Sequence, residues 1–284
     1  MRVTRAIITT LFCILMTMHS SSWAARAQDP DHFAALSGDP HLRSASVLVT
    51  DASGNVLYAK DTDTVRSIAS ITKLMTAMVV LDSEANLDQV LTITREDRDT
   101  VQLTGSRLGF GASLTRRELL QLALMSSENR AANALGRNYP GGLEAFVAAM
   151  NNKAQSLGMA DSHFADPAGL RVNNLATASD LAKMLAAAEG YPFIKRATTS
   201  TQLSIRPYRK RGPLSFGNTN RLLHNATWEI DLSKTGFIHE AGRCLVMRAT
   251  IDGEPLSIVL LNSYGKLTPF GDSNRLKKWL LSSI

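Results

Sequence analysis

The spacing of apolar residues changes period twice along this chain, and the order of the changes restricts the folds open to it. "SASVLVTDASGNVLYAKD" alternates on both sides of Asp51-Ala52-Ser53-Gly54-Asn55, the pattern of a β-hairpin with a short loop. The middle of the chain switches to helical spacing and predicts helices over 70–83, 115–125, 142–157 and 177–189. In the last of these, Thr177 followed by Asp180 resembles a capping box, with Asp in place of the usual Glu. From Glu229 the period returns to two. "EIDLSKTGFI", "RCLVMRATID" and "PLSIVLLNS" predict three strands, and "GDSNRLKKWLLSSI" a closing helix with Leu276, Trp279 and Leu280 on one side. The simplest assembly joins the hairpin and the last three strands into one five-stranded antiparallel sheet, with a helical lobe inserted between them. The expected fold is α+β, with two lobes and a cleft at their junction.

The first residues read differently. Arg2 and Arg5 precede an apolar run from Ala6 to Met18, and Ala25-Arg26-Ala27 forms a small-residue site. That is the three-part pattern of a secretory signal, and the run is too short to span a bilayer. Residues 1–27 are therefore expected to be removed before Gln28, leaving 28–284 as one domain. Arg2, Arg5 and Arg26 leave with the signal and no acid does, so the formal charge falls from +6 to +3. That bias is too weak to point to nucleic acid. Cys13 leaves as well, so Cys244 has no partner for a disulfide; in its alternating strand it reads as a small buried hydrophobe.

"SIASITKLMTAMVV" places Lys73 one turn after Ser70 at the start of an otherwise apolar helix. The two lie on one helix face. Serine attacks well only when a base takes its proton, and lysine is a base only when neutral. An apolar setting and a second cation nearby both push a lysine pKa down. Alone the pair says little: an S-x-x-K match arises about once by chance in a chain this long, and Ser263-Tyr264-Gly265-Lys266 is another, read as structural in its Gly-containing loop. Two further pieces raise its weight. Ser127-Glu128-Asn129 follows the second helix, and Lys234-Thr235-Gly236, followed by Phe237, lies on a predicted edge-like strand. Ser53-Gly54-Asn55 also fits S-x-N, but as a hairpin turn.

The three motifs in this order are the signature of penicillin-binding proteins and class A β-lactamases. Together with "SRLGFGASLTRRELLQLALMSSENRAANALGRNYPGG", "FADPAGL", "FGNTN" and "EAGRCLVM", they make the chain resemble the low-molecular-weight penicillin-binding proteins of the D-alanyl-D-alanine carboxypeptidase family. The central stretch is most similar to endopeptidases of the penicillin-binding protein 7 type. The resemblance implies a serine peptidase acting on peptidoglycan stem peptides in the periplasm, with β-lactams as acylating inhibitors and no cofactor or metal. It implies Ser70 as nucleophile, Lys73 as its base and Ser127 as proton carrier to the leaving amine. Lys234 would keep Lys73 neutral and attract a carboxylate, and Asn129 would bond the substrate backbone. Thr235 would assist in carboxylate or carbonyl binding, with Gly236 beside it on the substrate-binding strand and the N–H groups of Ser70 and Phe237 as oxyanion hole. The same machinery serves a DD-endopeptidase, a DD-carboxypeptidase or a weakly active penicillin-binding wall protein.

Several features depart from the pattern or stand beside it. Ile238 occupies a place where many relatives carry a hydroxyl. "FADPAGL" is expected to be a turn beside the cleft and lacks the E-x-x-x-N of a class A β-lactamase loop, which argues against efficient β-lactam hydrolysis. His163, His224 and His239 read as loop or strand-end residues, Arg243 as a candidate carboxylate contact, and "RPYRKRG" (206–212) as a cationic loop that could attract acidic wall polymer. The closing helix has too short an apolar side to anchor the chain, so membrane association is expected to be loose at most.

Overall fold

A computed structural model describes Phe33 and residues 36–282; the expected signal, residues 1–27, lies outside them. The elements are β1 (Ser46–Thr50), β2 (Val56–Lys60), α1 (Thr72–Asp82), α2 (Arg116–Met125), α3 (Asn129–Arg137), α4 (Gly142–Ser156), α5 (Ala178–Glu189), α6 (Pro192–Thr199), β3 (Glu229–Ile238), β4 (Gly242–Ile251), β5 (Glu254–Ser263) and α7 (Thr268–Leu281). Short two-stranded ribbons complete the chain, among them Gln202–Ile205 with Leu214–Gly217.

The hairpin and the last three strands form one antiparallel sheet in the order β2-β1-β5-β4-β3. β1 is interior, paired with β2 on one side and with β5 on the other, Ser46 opposite Leu261. β3 is an edge strand, as expected of the strand carrying Lys234. Both faces of the sheet are covered, so its strands read as near-continuous apolar runs. Val47, Leu245, Met247, Ile258 and Leu260 face α7, where Leu276 and Leu280 are buried; Leu48, Val246, Val259 and Leu261 face the helical block.

α1 runs through the middle of that block. Every residue from Thr72 to Val80 is buried, because α2, α3, α4, α5 and α6 all pack on it. A helix apolar all round belongs inside a protein, and this placement carries Lys73 into the core with it.

Local chemistry sets the helix starts. Thr115 caps α2 by accepting from the Glu118 N–H, and Glu118 reaches back to the Thr115 N–H. Thr177 caps α5 by accepting from the Asp180 N–H at 3.0 Å, but the reciprocal half of that capping box is not formed. The Asp180 carboxylate turns outward instead, accepting from the Asp161 N–H and the Ser162 hydroxyl, both at 2.9 Å. The helix expected from Ser70 begins as a 3-10 turn, Ala69–Ile71, before α1 proper. Helices α3 and α6 are additional to those the spacing predicts.

Candidate active site

The turn that carries Ser70 is seated on two glycines. A Cβ on Gly169 would lie 1.9 Å from the Ala69 carbonyl oxygen, and one on Gly236 2.8 Å from that of Ile68. Only glycine lets the Asp166 turn and strand β3 approach the Ser70 backbone this closely, which gives the third residue of Lys234-Thr235-Gly236 its physical reason.

Lys73 follows one turn later, fully buried. Its Nζ donates to Ser70 Oγ at 2.8 Å, to Asn129 Oδ1 at 2.8 Å and to the Ala168 carbonyl at 2.6 Å. All three ammonium donors are thus used, which is how a buried amine avoids an unpaired polar group. Burial pushes its pKa down to about 7, against the opposing pull of the carboxylates of Asp166, Glu128 and Asp99.

The Ala168 carbonyl is held by the "FADPAGL" turn. Asp166 accepts the N–H groups of Ala168 at 2.7 Å, Gly169 at 2.6 Å and Arg171 at 2.8 Å, and Asn174 Nδ2 at 2.6 Å. Thr76, one turn beyond Lys73, donates to the Pro167 carbonyl at 2.6 Å. The turn lies beside the cleft as expected, and it also supplies an acceptor for Lys73 from its main chain, which has no sequence signature.

Ser127 and Glu128 lie in the connection between α2 and α3, and Asn129 opens α3. Ser127 sits at φ +59°, a left-handed conformation that costs a non-glycine residue energy and is held by its surroundings. Glu128 contributes to that hold: it accepts from the Ser106 hydroxyl at 2.6 Å and from the Arg130 N–H at 3.2 Å. Across the cleft, buried Lys234 donates to Ser127 Oγ at 2.9 Å and to the Thr235 carbonyl at 2.8 Å. Burial, with the charge on Lys73 second, holds the Lys234 ammonium well below its ordinary pKa.

The cleft between the helical block and β3 has a volume of about 360 Å³. Ser70, Ser127, Asn129, Thr235, Gly236 and Phe237 all line it, so the three motifs converge on one space. Four further liners are basic or hydroxylic: Thr219, Arg221, Arg243 and Lys266. Thr219 accepts from the Thr235 hydroxyl at 2.7 Å. It belongs to "FGNTN", whose likeness to relatives was its one signal in the sequence. Arg243 stacks over the Phe237 ring at 3.5 Å. Among the described residues no carboxylate lines this cleft, which suits an anionic ligand.

Other residues fall away from the centre. Ile238 is buried in the core facing the helices and does not line the cleft. Ser263 is buried at the end of the central strand β5, its Oγ 2.7 Å from Ser44 Oγ. Cys244, by contrast, lines the cleft while staying almost fully buried, and burial raises its thiol pKa to about 11. His163, His224 and His239 occupy an isolated bridge, the end of a 3-10 turn and the residue after β3. Among the described residues no cluster of His, Cys, Asp and Glu could hold a metal ion.

Comparison with known proteins gives the family. The chain matches the peptidase S11 family, described as D-alanyl-D-alanine carboxypeptidase, over residues 34–265. It is 46% identical over 271 residues to a D-alanyl-D-alanine endopeptidase of Pseudomonas aeruginosa, covering 95% of this chain and 87% of that protein. It is 42% identical over 267 residues to one of Escherichia coli, covering 94% and 86%. The crystal structure of the Streptomyces K15 DD-transpeptidase superposes with a TM-score of 0.80 at 29% identity, covering 87% of this chain and all of that one. A serine and a lysine joined at the head of a buried helix, a second such pair facing them, and these likenesses along nearly the whole chain place the protein in the peptidase S11 family of D-alanyl-D-alanine carboxypeptidases.

Proposed function

We propose that the protein is a serine DD-peptidase that cleaves D-alanyl cross-links between peptidoglycan stem peptides through an acyl-enzyme on Ser70. The observation that carries this reading is the pairing of Ser70 with Lys73 and of Ser127 with Lys234 in one cation-lined cleft. Lys73, with a pKa near 7, is neutral often enough at neutral pH to take the Ser70 proton. Ser70 Oγ then bonds to the D-alanyl carbonyl carbon, and the backbone N–H groups of Ser70 and Phe237 receive the oxyanion. The amide C–N bond breaks as Ser127 hands a proton to the departing amine, and that proton is replaced from Lys73. Lys234 orients Ser127 through its 2.9 Å bond, and the charge on Lys73 in turn disfavours one on Lys234. Asn129 holds the substrate backbone and Thr235 its carbonyl or carboxylate. Water hydrolyses the ester and returns the proton to Ser70. A β-lactam acylates Ser70 in place of substrate.

Cleavage of cross-links is favoured over trimming of a terminal D-alanine by the two relatives above 40% identity, both named endopeptidases. In this reading residues 1–27 are a signal removed before Gln28, and 28–284 works as one domain in the periplasm, where its polymer lies. Among the described residues no helix is long and apolar enough to cross a membrane.

The test is mass spectrometry of products from a cross-linked muropeptide dimer and, in parallel, a pentapeptide monomer. Release of monomers from the dimer is expected, abolished in Ser70→Ala and nearly intact in Ser263→Ala. Loss of one alanine from the pentapeptide with the dimer untouched would make the protein a carboxypeptidase. Activity surviving in Ser70→Ala would overturn the site assignment.

A further inference from the structure

A groove of about 500 Å³ lies on the other side of the Ser127 connection from the cleft. It is lined by Gly105, Ser106 and Arg107, by Phe216 and Gly217, and by Ser126 and Glu128, with Arg107 stacked over the Phe216 ring. The two spaces share a border: Ser126 lines the groove and Ser127 the cleft, Gly217 the groove and Thr219 the cleft. The Thr219 N–H donates to the Met125 carbonyl at 3.2 Å and fixes that border.

The groove is flanked by unpaired positive charge. Between Glu189 and Glu229 the chain has no acidic residue and seven Lys or Arg. Four of these, Arg206, Arg209, Lys210 and Arg211, sit exposed on the connection joining Gln202–Ile205 to Leu214–Gly217. The connection is bolted to the groove wall: the Gly109 N–H donates to Tyr208 Oη at 2.6 Å, and the Ser113 N–H to the Pro207 carbonyl at 3.0 Å. Arg211 stacks on Tyr208, and Arg107 on Phe216. None of these arginines, nor Lys210, forms an ion pair among the described residues. From Gly217 to Leu214 the ribbon rises about 10 Å, so a short extended peptide in the groove reaches the charges at its tip.

We propose that this groove, with Arg107 and the cationic 206–211 connection, is a subsite for the acidic peptide on the leaving side of a cross-linked substrate. The proposal rests on Ser127 as proton donor to the departing amine. Whatever is attached to that amine must leave past Ser127, and the groove begins at its two chain neighbours, Ser126 and Glu128. A single terminal alanine is too short to span it and reach the cations. A second stem peptide, ending in its own carboxylate, fills it and meets the cations. The groove thereby favours cross-linked over monomeric substrate.

Two variants test this, Arg107→Ser and the triple Arg209→Ser, Lys210→Ser, Arg211→Ser. In each, kcat/KM for the dimer is expected to fall about five- to ten-fold at low ionic strength, with the loss shrinking as salt rises. Penicillin acylation of Ser70 and cleavage of the pentapeptide are expected to hold, and lysine at 209 and 211 to restore dimer cleavage. An equal loss on dimer, pentapeptide and penicillin, or no loss on any, overturns the subsite. If wild-type protein leaves the dimer intact, the endopeptidase reading fails by itself. Equilibrium binding of intact dimer and pentapeptide to the Ser70→Ala protein then decides the groove: weaker dimer binding in the charge variants supports it, and unchanged binding refutes it.

Discussion

Asn129 donates from Nδ2 to Thr104 Oγ1 at 2.8 Å, and the direction of that bond follows from a third residue. Thr104 gives its own proton to the Asp99 carboxylate at 2.6 Å, so toward Asn129 it can only accept. The Asn129 amide is thereby oriented with Oδ1 facing the Lys73 ammonium. Thr104→Val removes the acceptor and leaves the amide free to turn. Penicillin acylation is expected to slow about ten-fold, the value of one hydrogen bond to a charged-site network, while Thr104→Ser stays close to wild type. Stopped-flow acylation of the two variants makes the comparison.

The rate of Ser70 acylation is expected to rise with pH through an inflection near 7, as Lys73 loses its proton. Stability shifts in the same direction. Between about 7 and 10.5 the unfolded chain keeps a proton on Lys73 that the folded chain has released, so unfolding becomes harder as pH rises through that window. Below 7 both states are protonated and the full cost of the buried charge remains. Chemical denaturation at pH 6 and 9, compared with Lys73→Met, isolates this contribution: the variant should lose that part of the pH dependence.

Asp166→Asn places an amide NH₂ among backbone donors that need an acceptor. The expected cost is about 1–3 kcal/mol, a fall in Tm of several degrees for a chain of this size. It also removes the first of the carboxylates that hold the Lys73 pKa up, so the acylation inflection should move to lower pH. A fall in Tm with an unmoved inflection would show that Asp166 only braces the turn.

Gly169→Ala should be among the most damaging single changes. The residue sits at φ +73°, and the new methyl would overlap the Ala69 carbonyl beside Ser70. Either the fold is lost or the Ser70 turn moves. Where soluble protein is recovered, labelling by fluorescent penicillin should be almost absent; normal labelling would mean the turn can retreat without cost.

The sheet was legible because its strands are long and bounded by turns: the run 229–238 becomes β3 end for end. Ser70, Lys73, Ser127, Asn129 and Lys234 were legible because motif spacing reflects side chains that must meet. Three kinds of feature were not. Helix α3 is short, and its buried face is made mostly of small residues, Ala131, Ala132, Ala134 and Gly136 beside Leu135, which carry a weaker apolar signal than the Leu and Met of its neighbours. The Ala168 carbonyl is main chain and any residue could provide it. Thr104 and Thr219 are single hydroxyls in loops, and their partners are set by folding rather than by neighbours in sequence. Asp180 shows the converse: a local capping signal gave way to a tertiary partner, the Asp161 turn.

The interior position of β1 has a consequence in time. Its two flanks come from opposite ends of the chain, with Ser46 held against Leu261 and the Ser44 hydroxyl and N–H against Asp272 of α7. A ribosome delivers Ser70 and Lys73 first, but the strand bearing Lys234 and the pairing that fixes the sheet come only after the whole helical block. Until then Ser70 has neither its facing strand nor the glycine of that strand on which its turn is seated. A hydrolase aimed at the wall is therefore inert for as long as it is unfinished, and its silence is built into the order of its strands, with no inhibitory segment required.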